Sequence, residues 1–387
     1  MKILVLTKRQ YMGKDLLDDR FGRFREIPLE LARFGHQVLG ICLSYRTKEE
    51  DHVEDRDVSS EATVTWHSFN IGKLVFPGLR RYFRCARTLA ADFRPDVIWA
   101  CSDSFHAIFG ARLGRLLRAR SVVDLYDNFE SYGGTHLPGV LPLFKRAVRI
   151  ADGISCVSDE LASLIANEYR RPGRSIVLKN AVRGDLFYPR DRIHSRKLLG
   201  IPDRIKLVGT VGALRRNRGV ETLLSAFELL ASEDSAIELA IAGPRTNSVM
   251  IPKSSRIHDF GVLPLEGVAN LISAMDVAVV CNRDSSFGRY NFPQKFYEIM
   301  ACRVPVIAAS VGSMKKALRD HPECLFEPES PTSLAAAVRA QLQNPSTINR
   351  SVPTWRDTAK HLESFLETII ANHRPNYDVN STFGTVS

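Results

Sequence analysis

The chain has 387 residues, which predicts two domains, because a single hydrophobic core rarely grows beyond roughly 250–300 residues. Hydrophobic residues make up 44% of the chain and charged residues 25%, the balance typical of a soluble globular protein. No apolar run approaches the roughly 20 residues that cross a bilayer, and the first residues favour a β-strand over a signal peptide. These features argue against a membrane-spanning chain and lead us to expect a cytoplasmic protein.

The charge and the cysteines narrow the function classes further. The 53 Lys and Arg against 43 Asp and Glu give a net charge of +10, which suits a nucleotide, a phospholipid headgroup, a lipid pyrophosphate or nucleic acid. A generally basic surface is the alternative interpretation. The seven cysteines lie mostly in apolar strand-like runs without any CxxC pair, so we expect reduced core residues and no metal site.

Short apolar runs alternate with helical patterns along most of the chain. Strands are predicted at 2–7, 37–43, 62–68, 96–101, 121–126, 153–157, 206–212, 237–242, 276–281 and 304–309. Helical stripes lie between them, for example over 24–35 and 221–231. Strands that alternate with helices predict an α/β fold with parallel sheets covered on both faces.

The two series of strands are separated by residues 179–191, a segment rich in turn formers and charge that we interpret as a linker. We expect one Rossmann-like domain over 1–184 and a second over 185–352. A helix at about 353–372 is expected to pack back on the first domain, and the polar tail 374–387 to be disordered. Because such sheets bind ligands beyond the carboxyl ends of their strands, two facing domains predict a cleft that holds the site.

A basic amphipathic helix is predicted over 79–93. Its apolar stripe is formed by Leu79, Tyr82, Phe83, Ala86, Leu89, Ala90 and Phe93, with Arg80, Arg81, Arg84 and Arg87 off it. Such a helix can lie on an anionic membrane as a peripheral contact. The more ordinary interpretation is that the stripe packs on a sheet.

Residues 208–227 have the pattern of a phosphate-binding strand, loop and helix. The strand runs into Gly212, a basic loop follows, and a helix begins near Gly219. Arg218 stands at the helix entry, where it can hold a diphosphate. Arg215 either supports it or is a solvated loop charge. The segment lacks the GxxxxGK[ST] pattern of a Walker loop.

Residues 287–308 form the richest segment. Pro293 is predicted to open a helix on which Lys295 and Glu298, three residues apart, share one face. A helix N-terminus and a lysine favour a phosphate, and a glutamate one turn later can accept both hydrogen bonds from a ribose diol. The alternative is an ordinary surface ion pair, but the apolar strand that follows immediately favours nucleotide binding.

In their order and spacing these segments resemble the family 4 glycosyltransferases, which have the GT-B fold. The resemblance extends over roughly residues 1–370. Further pieces agree with it: 33–38, 151–158 and 179–189 in the first half, and 239–244, 260–268 and 273–279 in the second. The resemblance implies a retaining transfer of a sugar from a nucleotide diphosphate, without a metal or other cofactor.

The resemblance also assigns residues. It places Arg218 and Lys295 on the donor phosphates, Glu298 on the ribose, Gly212 and Arg215 in the first loop, and Val262 in the loop that usually meets the base. Tyr290 stands where many relatives have a glutamate near the donor sugar, and Ala213 where they have an arginine. Asp127 lies near the position that faces the acceptor, where a carboxylate can take a proton. An aspartate capping the next turn is the alternative there.

The function implied is transfer from a UDP- or GDP-sugar to a glycan or lipid-linked acceptor, in surface polysaccharide or glycolipid synthesis. Ala213 and Tyr290 leave open a catalytically silent partner subunit. A separate alternative is a GT-B sugar-nucleotide 2-epimerase, which needs no acceptor. Nucleic-acid binding is not expected, since no aromatic and basic recognition motif accompanies the charge.

Overall fold

The computed structural model describes residues 1–11, 14–46, 52–56, 61–169, 174–245 and 249–371. The predicted tail 374–387 lies outside the described residues. Two parallel sheets carry helices on both faces, which confirms the predicted α/β class. Among the helices in these ranges, none is both long enough and apolar enough to cross a membrane.

The first sheet is built from the amino-terminal part of the chain. Its strands have the spatial order β10-β9-β8-β7-β1-β4-β6-β5, and only β5 runs antiparallel to its neighbour within the described residues. A small hairpin of β2 and β3 lies beside it. The strands are β1 (Lys2–Lys8), β2 (Gln10–Tyr11), β3 (Lys14–Asp15), β4 (Gln37–Ser44), β5 (His52–Arg56), β6 (Thr63–Asn70), β7 (Val97–Cys101), β8 (Arg120–Leu125), β9 (Gly153–Cys156) and β10 (Ser175–Val177).

The helices of this part cover both faces of the sheet. They are α1 (Arg23–Arg33), α2 (Val75–Phe93), α3 (Ser104–Leu117), α4 (Val140–Ile150) and α5 (Asp159–Glu168). Strand β1 shows why both faces must be covered: Ile3 and Val5 join the core against α1, while Leu4 and Leu6 join the opposite core against α2. A parallel strand that is buried on both sides needs such a continuous apolar run.

The apolar stripe predicted on 79–93 is the packing face of α2. Leu79, Tyr82, Ala86 and Ala90 are buried with residues of the first sheet, so the more ordinary of the two interpretations describes these side chains. The helix begins at Val75, four residues before the predicted start.

The second sheet has the order β13-β12-β11-β14-β15-β16 and is parallel throughout the residues that the structure describes. Its strands are β11 (Lys206–Val211), β12 (Ile237–Ala242), β13 (Ile257–Asp259), β14 (Val277–Val280), β15 (Val306–Ala309) and β16 (Leu325–Phe326). Its helices are α6 (Arg192–Leu199), α7 (Val220–Glu233), α8 (Leu265–Ala274), α9 (Ser286–Tyr290), α10 (Gln294–Ala301), α11 (Gly312–Ala317) and α12 (Pro331–Gln343).

The last helix, α13 (Trp355–Ala371), packs against α1 of the first sheet. Its apolar face places Trp355, Leu362 and Leu366 in the same core as Ile3. The contact is tight at Gly153 in β9, where a Cβ atom would stand 2.8 Å from the Phe365 ring. The carboxyl-terminal helix thus contributes to the amino-terminal core.

Residues 178–191 pass between the two sheets and are anchored at Asn180. The Asn180 amide nitrogen donates a 3.0 Å hydrogen bond to the main-chain oxygen of Phe292, ahead of α10. Its amide oxygen accepts from Arg23 at 3.1 Å, and Arg23 also donates to Asp124 at 2.9 Å. Because Arg23 and Asp124 are fully buried, each charge needs the other, and the pair fixes the first sheet relative to the segment that leaves it.

Candidate active site

Three glycines bring the backbone of neighbouring strand ends together at the edge of the second sheet. Gly212 follows β11 with a φ of +98°, and Gly243 follows β12 with a φ of +143°. A Cβ atom on Gly243 would stand 2.0 Å from the Gly212 carbonyl oxygen. The Gly243 amide donates to the Gly261 carbonyl at 2.7 Å. Both the positive φ values and the close approach require glycine, and the result is an open surface beyond β11.

Arg218 ends the short 3-10 helix Arg216–Arg218, directly before α7. Its guanidinium carbon lies 4.4 Å from the centroid of the Phe287 ring, which holds the side chain from one side. Burial lowers the pKa of Arg218, while Asp127 and Tyr132 of the first sheet's edge act in the opposite direction. Arg218 therefore interacts electrostatically with residues on the opposite side of the cleft.

Lys295 lies in the first turn of α10, beside Gly212. The Lys295 Nζ atom is 3.7 Å from the position that a Cβ atom on Gly212 would take. Burial, together with the charge of Arg218, lowers the pKa of Lys295 to about 8, while Cys281 and Glu298 act in the opposite direction. Pro293 is the N-cap rather than the first helical residue, one position away from the prediction. Because Gly212 has no side chain, the Lys295 ammonium is not covered on the side that faces the end of β11.

Glu298 lies one turn further along α10 and is 8% exposed. Its Oε1 atom accepts a 2.9 Å hydrogen bond from the Gln294 amide. Burial raises the pKa of Glu298 to about 7, against the opposing effects of Gln294 and Lys295. A buried carboxyl that is costly to ionise is suited to a ligand that brings hydroxyl donors.

Asp127 follows β8 at the carboxyl edge of the first sheet and is 7% exposed. Its Oδ1 atom accepts from the Asn128 amide at 2.9 Å, and its Oδ2 atom lies 3.1 Å from the Tyr132 hydroxyl. Burial raises its pKa, and the charge of Arg218 is the first effect that opposes this. The side chain that caps the following 3-10 helix is Asn128, so the alternative role of Asp127 as that cap is wrong.

Two tyrosines connect Asp127 to a lysine that the sequence reasoning missed. Lys8 ends β1 and donates from Nζ to the Tyr126 hydroxyl at 2.9 Å, while the Tyr126 and Tyr132 hydroxyls are 2.8 Å apart. The Lys8 ammonium also lies 5.4 and 5.3 Å from the centroids of these two rings. Lys8, Tyr126, Tyr132 and Asp127 are thus connected by a continuous series of hydrogen bonds. A lysine at the carboxyl end of the first predicted strand was the available signal.

The remaining predicted residues lie at the periphery of this arrangement. Arg215 is exposed, and its charge lowers the pKa of Arg218. Val262 is 59% exposed in the loop between β13 and α8. Tyr290 is half-buried against the core, and its main-chain oxygen accepts a 2.7 Å hydrogen bond from the Ser158 hydroxyl. Phe287, which holds Arg218, had no signal beyond its place at the start of the 287–308 segment.

The structure thus brings Gly212, Arg218, Lys295 and Glu298 together on one side of the cleft and faces Arg218 with Asp127 on the other. Two family models match this chain. One, described as the glycosyl transferase 4-like domain, matches residues 23–181, and the other, glycosyl transferases group 1, matches residues 205–344. The chain belongs to the family 4 glycosyltransferases. This membership confirms the resemblance seen in the sequence.

Relatives and solved structures agree with the family. The D-inositol 3-phosphate glycosyltransferase of Geodermatophilus obscurus is 29% identical over 206 residues, which cover 49% of this chain and 45% of that protein. The chain thus spans about half the length of these curated relatives. The structure of sucrose-phosphate synthase from Thermosynechococcus elongatus is 18% identical with a TM-score of 0.73, covering 96% of each chain.

A second solved structure is that of the Anabaena protein HepE in complex with UDP-glucose. It is 18% identical to this chain with a TM-score of 0.64, covering 96% of this chain and 98% of that one. These structural similarities confirm the predicted GT-B fold.

Proposed function

We propose that this family 4 glycosyltransferase is a retaining enzyme that transfers a sugar from a UDP- or GDP-sugar to a hydroxyl of a glycan or lipid-linked acceptor. The observation that carries the proposal is the position of Lys295 beside Gly212, with Arg218 as its charged neighbour. Two cations at the end of a strand, next to a helix N-terminus, form a binding surface for a diphosphate.

The donor is proposed to bind on the second sheet. Its phosphates contact Arg218, Lys295 and the first amides of α10, and its ribose hydroxyls donate to Glu298 one turn later. The structure of HepE with UDP-glucose, a protein of the same fold, supports this choice of donor class. We propose that the two side chains neutralise the diphosphate, so that no metal ion is required.

Sugar transfer breaks the bond between the anomeric carbon and the β-phosphate oxygen, and negative charge develops on that oxygen. Arg218 and Lys295 stabilise this charge where it forms. The acceptor oxygen attacks from the face of the leaving group, its proton passes to Asp127, and the anomeric configuration is retained. Each charge-assisted hydrogen bond contributes about 1.5–3 kcal/mol, so the loss of either cation is expected to slow turnover by roughly one to two orders of magnitude.

The acceptor is proposed to enter along the first sheet, where Asp127 is buried and linked to Lys8 through two tyrosines. A raised pKa makes the Asp127 carboxylate a better proton acceptor. We propose a role in the synthesis of a surface polysaccharide or glycolipid, the setting that the resemblance to family 4 glycosyltransferases implies.

The test is a donor screen by thermal shift and slow hydrolysis, with UDP-, GDP-, ADP- and dTDP-sugars and EDTA present. One nucleotide sugar is expected to stabilise the protein, and the Glu298→Ala variant should lose this effect. Arg218→Ala should keep donor binding better than turnover. Glu228→Ala and Arg204→Ala, exposed on the second domain, are the matched controls.

Two outcomes would replace the proposal. If no nucleotide or nucleotide sugar stabilises the chain, the silent partner subunit becomes the better interpretation, and Ala213 and Tyr290 explain it. If a nucleotide sugar is converted into its 2-epimer without any acceptor, the chain is an epimerase.

A further inference from the structure

The start of α2 exposes three consecutive large apolar side chains. Leu74 and Phe76 are each 68% exposed, and Val75 is 44% exposed. Elsewhere in the described residues the large exposed apolar side chains do not follow one another in this way. Consecutive exposed apolar side chains rimmed by polar residues are typical of an interaction surface rather than of a monomer's solvated face.

These side chains are held outward by the fold. The Ile71 amide donates a 2.9 Å hydrogen bond to the Ser44 carbonyl, which continues the pairing of β6 with β4. The helix then begins so close to Ile71 that a Cβ atom on Gly78 would stand 1.7 Å from its carbonyl oxygen. Leu79, the residue after Gly78, is already buried. Because the turn is tight, the three side chains that precede it in the first turn of the helix cannot reach the core.

The charge around the apolar residues has a single sign. The sequence from Ile71 to Ala91 contains no Asp or Glu and five basic residues: Lys73, Arg80, Arg81, Arg84 and Arg87. Phe76, Arg80 and Arg84 are spaced four apart and lie on one helix face, opposite the buried stripe. An apolar tip with a cationic face complements an anionic lipid surface, where acyl chains lie beneath phosphate headgroups.

The patch also lies at the edge of the first sheet that faces the cleft. Residues 71–77 follow the carboxyl end of β6, Lys8 is the last residue of β1, and Asp127 follows the carboxyl end of β8. Tyr45, next to Ser44, donates to Asp103 at 2.9 Å, and Asp103 interacts electrostatically with Lys8. The apolar tip and the acceptor side of the site therefore share one rim.

We propose that Leu74, Val75 and Phe76, with the arginines of α2, dock on an anionic lipid surface and present the acceptor side of the cleft to a lipid-borne hydroxyl. The inference that the acceptor is carried by a lipid rests on the proposed function. The inference that the chain docks on lipid does not, and docking is measured without any nucleotide.

The experiment is co-sedimentation of the full chain with vesicles of phosphatidylcholine alone or mixed with phosphatidylglycerol. We expect binding to the mixed vesicles that weakens with salt. Each arginine removed weakens partitioning about fivefold, so Arg80→Glu/Arg84→Glu should abolish it. Leu74→Ser/Phe76→Ser should weaken it about tenfold or more. The matched controls, Leu198→Ser and Arg204→Glu on the second domain, should bind like the wild type.

A second measurement separates insertion from adsorption by charge. The tryptophan fluorescence of the Phe76→Trp variant should shift to the blue with mixed vesicles, while that of Leu198→Trp should not. A wild-type chain that stays in solution with anionic vesicles, or an unshifted Phe76→Trp spectrum, overturns the docking proposal. Stabilisation by a nucleotide sugar in the same samples would leave the proposed function standing, so the two failures are distinguishable.

Discussion

Gln294 donates a hydrogen bond from its side-chain nitrogen to Glu298 Oε1, 2.9 Å away, on the inner face of α10. The Gln294 side-chain oxygen is buried without a hydrogen-bond partner among the described residues. The Glu298 carboxyl is therefore costly to ionise, and the neighbouring Gln294 oxygen is an acceptor without a donor. Both features are consistent with the ligand-binding role proposed for this face of α10.

Glu298→Gln is expected to stabilise the free protein. Burial raises the pKa of Glu298 from its ordinary 4.5 to about 7, so ionisation destabilises the folded state as the pH rises from 4.5 through 7. At pH 8 the variant should gain on the order of 3 kcal/mol in free energy of unfolding, measured in urea, and the gain should vanish below pH 4.5. The variant amide can also donate to the Gln294 oxygen. Glu228→Gln is the exposed control, and an equal gain there would contradict the explanation.

The donor kcat/KM is expected to fall on the alkaline side with an apparent pKa of about 8. The protonated form of Lys295 binds phosphate, and burial lowers its pKa to about 8, so the charged fraction declines as the pH rises through that value. Lys295→Arg keeps its charge and should move this limb to higher pH, even if the rate is lower. An unchanged alkaline limb in the arginine variant would assign it to another group.

Gly243→Ala is expected to weaken donor binding and stability together. The new methyl group would stand 2.0 Å from the Gly212 carbonyl at a φ of +143°, so the loop that opens toward Lys295 must move. A cost of about 1–3 kcal/mol is expected in urea unfolding, with a reduced thermal shift by donor. Gly184→Ala is the matched control, since nothing lies within 4 Å of its Cβ position. Equal losses in both variants would remove the steric argument.

Tyr132→Phe is expected to shift the acidic limb of the kcat profile to higher pH. The phenol stabilises the ionised form of Asp127, so its removal raises the pKa of that carboxyl further. Asp127→Asn should lose about 10²–10⁴ in kcat if this carboxylate accepts the acceptor proton. Tyr188→Phe serves as the exposed control. Near wild-type turnover in Asp127→Asn would show that the proton goes elsewhere.

Phe287→Leu is expected to lower kcat by about threefold to thirtyfold, because the guanidinium of Arg218 loses the aromatic face against which it lies at 4.4 Å. Phe287→Tyr keeps that face and should retain most of the activity. The measurement is kcat at saturating donor for both variants. Similar losses in the leucine and tyrosine variants would indicate a packing role for Phe287 instead.

The fold class could be predicted from the sequence alone, and so could the helix on which the residues proposed to bind the donor lie close together. The apolar runs of parallel strands are continuous because both faces are buried, and this made strands such as β1, β4 and β11 readable within one or two residues. The proximity of Lys295 and Glu298 could be predicted for a related reason. Residues three apart in a helix lie on the same face, whatever the rest of the chain does. Gly212 could be singled out because a sharp turn directly after a strand favours glycine.

Contacts between residues that are distant in the sequence became visible only in the folded chain. Tyr126, Asp127 and Tyr132 share the segment after β8, but Lys8 is 118 residues away from Tyr126 in the sequence, and nothing local to either segment indicates that they meet. The same holds for Phe287 beneath Arg218, and for α2, whose predicted stripe turned out to be buried while its unpredicted start is exposed. Periodicity shows that a helix has two faces, but which face is covered depends on the sheet against which the helix packs.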